Sequence, residues 1–128
     1  MTRQELQERL VNFAVLMVKI SESLIKTKAG NHLSGQIARS GTSPALNYGE
    51  AQDAESHKDF IHKMKVVLKE LRESLAALEI IHRAKLYKPE VKISVALREC
   101  NELVAIFVKS IETAKSNEEK KQNRESRE

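Results

Sequence analysis

Apolar residues recur four and three positions apart along most of this chain, the rhythm of helices that bury one face in a bundle. Leu6, Leu10, Phe13, Met17, Ile20 and Leu24 keep it in the first segment. Ile61, Met64, Leu68, Leu71, Leu75 and Leu78 keep it in the third, and Ile93, Leu97, Cys100, Val104, Phe107 and Ile111 in the fourth. The second segment differs. Around Arg39-Ser40-Gly41-Thr42-Ser43-Pro44-Ala45-Leu46-Asn47-Tyr48-Gly49-Glu50 it is small and polar, so another backbone can approach it closely.

Helix boundaries follow from capping chemistry. Thr2 and Glu5 form a T-x-x-E capping box that starts the first helix. Lys28-Ala29-Gly30-Asn31 reads as its end, with Asn31 able to cap the next helix. The second helix is expected from about His32 to Ala54, bent at Pro44, where one backbone hydrogen bond is lost. Ser56 and Asp59 supply an N-cap and a first-turn carboxylate for the third helix, which should close near Lys85 to Tyr87. Pro89 suits the first turn of the fourth, where its missing N–H is not needed. From Lys115 onward nothing is apolar, which predicts frayed, solvated helix or disorder. The expected architecture is all-α: an antiparallel up-and-down four-helix bundle over residues 1–114 with a charged tail over 115–128.

Val11, Val15, Val18 and Ile25 form a second apolar stripe on the first helix, roughly 100° round from the seam. A monomeric bundle needs one seam, so this stripe predicts a homo-oligomer interface.

Composition narrows the function. At 128 residues the chain suffices for one core, and aromatics at 4 % with four Gly and two Pro argue against a β-rich fold. One cysteine excludes an internal disulfide framework and suits a reducing cytoplasm. The charged start at Thr2-Arg3-Gln4-Glu5 is unlike a signal peptide. Leu10 to Ile20 is too short to span a bilayer and contains Asn12 and Lys19. The net charge of +4 and pI near 9.2 are compatible with a nucleic-acid partner without requiring one.

Arg39, Ser43, Asn47 and Glu50 are spaced four, four and three apart, which stacks them on one helix face. Two readings stand. As structure, the ladder fixes helix register, with Arg39 answered by Glu70 or Glu73 because a covered guanidinium left unpaired is costly. As function, it lines a polar pocket.

The same run carries a resemblance. Gln36-Ile37-Ala38-Arg39-Ser40-Gly41-Thr42-Ser43, then Asn47 and Glu50, then Ser56-His57-Lys58-Asp59-Phe60, resemble the signature of the 23S rRNA intervening-sequence protein family. The likeness continues through Lys69-Glu70-Leu71-Arg72-Glu73-Ser74 and is concentrated between Leu33 and Leu86. Pro44 and Gly49 depart from the usual pattern. The resemblance implies a four-helix bundle, a ring-shaped pentamer and no established chemistry. It also implies kinship with accessory proteins of diversity-generating retroelements.

Lys58, His62, Lys65, Lys69 and Arg72 recur four, three, four and three apart on the third helix, and Arg83 continues that side. Such a row can track a phosphate backbone. The alternative is a solvated face, with Glu70, Glu73 and Glu79 interspersed.

Catalysis finds little support. Glu79-x-x-His82 has di-iron spacing, but the second such motif and further carboxylates are not recognisable, so no metal and no cofactor are expected. Cys100 lies on a seam and reads as a small buried hydrophobe. The sequence therefore predicts a non-enzymatic, cytoplasmic scaffold that binds itself and RNA, DNA or a ribonucleoprotein. The alternative is an accessory subunit docking on a reverse transcriptase.

Overall fold

Thr2 opens the first helix, α1 (Arg3–Glu22), with a reciprocal cap. Its hydroxyl accepts from the Glu5 amide, and the Glu5 carboxylate accepts from the Thr2 amide, both at 3.1 Å. The computed structural model describes residues 1–88 and 90–127, so the expected role of Pro89 lies outside the described residues.

α2 spans Lys28–Gln52, four residues earlier at its start than the sequence suggested. Lys28-Ala29-Gly30-Asn31 is its first turn, and Thr27 rather than Asn31 is the cap, accepting from the Gly30 amide at 3.1 Å. Gly30 marks a close approach, not a helix end: a Cβ there would run into the Ile25 carbonyl. Pro44 is buried inside one unbroken helix.

α3 spans His57–Arg83, capped by Ser56, whose Oγ accepts from the Asp59 amide at 3.0 Å. It stops short of the expected Lys85 because Lys85 turns left-handed (φ 55°). Lys85 N–H then bonds His82 O at 3.2 Å and Leu86 N–H bonds Ile81 O at 3.0 Å, the paired closure of a Schellman ending. α4 runs from Glu90 to Arg127, 38 residues or about 57 Å. Residues 115–127 continue it as exposed helix in which only Glu118 is half-covered.

Cross-helix bonds fix the directions. Gln7 near the start of α1 donates to Ala45 O in the second half of α2, and Ser34 donates to Ser21 O at the opposite end. Ser74 donates to Ser40 at 2.9 Å while Lys63 reaches Glu50, so α2 and α3 also run oppositely. Cys100 lies against Leu71, and His57 against Ala114, which orients α4. The four helices form a ring of neighbours in which α1 and α4 share the thinnest seam. Arg9 bridges that seam to Glu99 and, at 2.8 Å, to Glu102.

The core fills the centre. Leu6, Leu10, Phe13, Met17 and Ile20 are buried as the first seam predicts. On α3 the central line is Met64, Val67, Leu71, Ser74, Leu78 and Ile81, with Ile61, Leu68 and Leu75 only half-buried. On α4 it passes through Ala96 and Leu103 rather than Leu97 and Val104. A stripe three to four residues wide has two candidate centre lines, and the facing helices choose between them. Tyr48 and Phe107 close the diagonal edge to face, with centroids 5.6 Å apart.

Candidate functional site

The buried line of α3 leaves the opposite side of that helix to solvent, and Lys58, His62, Lys65, Lys69 and Arg72 all stand there, exposed. From Lys58 to Arg72 the row covers about 21 Å of helix. Lys58, His62 and Lys65 line one groove with Ile61, Glu118 and Gln122, and Lys65, Lys69 and Arg72 line a second with Leu68 and Glu73. Lys65 is shared, so the two grooves adjoin. Among the described residues, Lys58, Lys65, Lys69 and Arg72 form no ion pair. Of the acids interspersed in the sequence, Glu73 still lines the second groove near Lys69, but each has its ion pair with another cation. Glu70 and Glu73 turn towards α2, and Glu79 lies 3.3 Å from Arg83. Arg83 continues the same side of the helix but, unlike the four other cations, forms an ion pair.

The ladder on α2 resolves into three separate contacts. Arg39 donates to Glu70 at 3.0 Å and to Glu73 at 2.8 Å. The expectation that a covering surface buries Arg39 is corrected: its side chain is 55 % exposed, and the buried member is Glu70, at 11 %. The Glu73 hydrogen bond chiefly raises the Arg39 pKa, and the same bond holds the Glu73 carboxyl below its ordinary range. Asn47 satisfies itself within α2, donating to Ser43 Oγ at 2.8 Å and Ser43 O at 3.0 Å. Glu50 pairs with Lys63 at 3.5 Å. Arg39 and Glu50 clip α2 to α3, whereas the Asn47–Ser43 pair stays within α2.

Val11, Val15 and Val18 are 39–48 % exposed on the outer side of α1. With Ala14, Lys19, Thr42, Ala45 and Leu46 they line a groove of about 410 Å³ between α1 and α2. Ile25 does not belong to this stripe. α1 ends at Glu22, so Ile25 lies in the linker, where its N–H bonds Leu86 O at 3.1 Å. Exposed apolar residues that escaped the sequence reading include Leu46 in the groove, Ile80 on α3, and Val91 and Val95 on α4. The i,i+4 spacing of the two valines, off the seam, was the available signal.

Cys100 is fully buried, its thiol donating to Leu71 O at 3.2 Å, and burial pushes its pKa up to about 12. Among the described residues, no three His, Cys, Asp or Glu side chains could share a metal ion. No described helix is long and apolar enough to cross a membrane.

No curated protein matches the chain. A crystal structure from Bacteroides thetaiotaomicron, described as a protein with unknown function from the S23 ribosomal protein family, is similar at 29 % identity with a TM-score of 0.78. The likeness covers 88 % of this chain and 99 % of that one, and neither this description nor the family's states a reaction. Residues 3–109 match the profile of the 23S rRNA-intervening sequence proteins. The four-helix fold and this match over most of the sequence lead to one conclusion: the chain belongs to the 23S rRNA-intervening sequence protein family.

Proposed function

We propose that the protein is a non-catalytic, homo-oligomeric scaffold of the cytoplasm that meets RNA or DNA backbones through the outward face of α3. The observation that carries this reading is the unpaired row Lys58, Lys65, Lys69 and Arg72, with exposed His62 among them. Four cations held along about 21 Å of one rigid helix neutralise phosphates without the helix having to be ordered on binding. No Trp occurs in the chain, and the five aromatic residues do not line these grooves, so bases are not read by stacking. Binding should therefore follow the backbone and show slight sequence preference.

Oligomerisation supports the same role. The α1–α2 groove offers an apolar surface for self-association, and each added copy repeats the basic row and raises avidity. A pentamer, five chains of 14.5 kDa, would have a mass of about 72 kDa. The test replaces Lys58, Lys65, Lys69 and Arg72 with glutamine and measures binding to random-sequence RNA and duplex DNA. Loss of binding with helicity and mass intact supports the reading; unchanged binding contradicts it. If the parent binds neither at low salt, docking on a protein such as a reverse transcriptase takes its place.

A further inference from the structure

The valine stripe on α1 lies within a longer pattern. Glu8, Val11, Val15, Val18 and Glu22 are spaced three, four, three and four, so exposed carboxylates bracket the apolar wall of the groove. The start of α4 presents the opposite charge: Val91, Val95 and Arg98 are spaced four and three on one face of the helix, all exposed, and exposed Lys88 lies in the linker just before it. Val91 is 71 % and Val95 48 % exposed. None of the four bracketing charges forms an ion pair among the described residues. Lys19 also lines the groove, but the two flanking carboxylates outnumber it.

We propose that the groove between α1 and α2 receives the Val91–Val95 edge of α4 from a second copy of the chain. This rests on the homo-oligomer proposed above and names its contact. Charge decides against the simpler arrangement of groove on groove. There Glu8 and Glu22 of one copy would face their own equivalents, a juxtaposition of like charges. Docking α4 instead brings the cations Lys88 and Arg98 into the span of about 21 Å between Glu8 and Glu22, and buries valines on valines and Leu46. Because the two surfaces differ, the contact is head to tail, and repeating it builds a ring when the rotation between copies closes.

Two variants test this, Val15→Asp in the groove and Val95→Asp on the edge. Both positions are solvent-exposed, so helicity by circular dichroism should match the parent. Each variant alone should sediment as a monomer. Mixed in equal amounts they retain one good groove and one good edge, so the mass should rise towards two chains and stop there. A Val95→Asp variant that assembles like the parent overturns the proposal, as does a mixture that stays monomeric. A monomeric parent overturns the underlying oligomer instead. If aspartate costs helicity, Val15→Ser and Val95→Ser take its place with the same outcomes.

Discussion

Met17 stands where a side chain on Gly41 would begin: a Cβ there would lie 2.5 Å from the Met17 Cβ and 2.7 Å from its Cγ. α1 and α2 meet this closely because residue 41 contributes only backbone. Gly35 is the contrast, with nothing within 4 Å of its Cβ direction. Gly41→Ala adds overpacking that costs up to about 3 kcal/mol, against about 1 kcal/mol gained in helix propensity. A net loss of about 2 kcal/mol is expected in urea unfolding. Gly35→Ala keeps only the gain and should stabilise by about 1 kcal/mol.

Arg39→Ala should lower the melting temperature more than Lys65→Ala. The first strands buried Glu70 and frees Glu73, whereas Lys65 is exposed and unpaired. The difference should depend on acidity. The Glu73 pKa is depressed in the folded protein, chiefly by its hydrogen bond from Arg39. That contribution is present above the unfolded carboxylate pKa, about 4.3, and is lost as pH falls through the folded value. The parent should therefore lose the Glu73 part of its advantage over Arg39→Ala on acidification below about pH 4. Equal melting temperatures at pH 7 would show that the Arg39 clip contributes nothing.

Cys100 should resist a maleimide in the native protein at pH 8 and react fully in denaturant. Its thiol is buried, bonded to Leu71 O and raised to about pKa 12, so almost no thiolate is present. Labelling as fast as free cysteine would mean that α3 and α4 separate readily.

Much of this architecture was legible in the chain because caps and apolar rhythm are local signals. Thr2 with Glu5 and Ser56 with Asp59 place two helix starts within a residue. The start of α2 was misread because Gly30 resembles a terminator, and only the tertiary proximity of the Ile25 carbonyl explains it. Likewise the spacing of Arg39, Ser43, Asn47 and Glu50 gives a shared face but not its exposure. That depends on how far Glu70 and Glu73 on α3 reach. The basic row was visible as a period. That its members form no direct ion pair among the described residues was not, since Glu70, Glu73 and Glu79 lie close by in sequence yet pair with Arg39 and Arg83.

The most direct test is the salt dependence of duplex DNA binding. Neutralising four phosphates with Lys58, Lys65, Lys69 and Arg72 releases their counterions, so log K against log salt should fall with a slope of about −3.6 per engaged protomer. The quadruple glutamine variant should bind too weakly to give a slope. A parent that binds with a flat salt response, or a variant that keeps the parent's slope, would contradict the assignment of α3 as a phosphate-binding face.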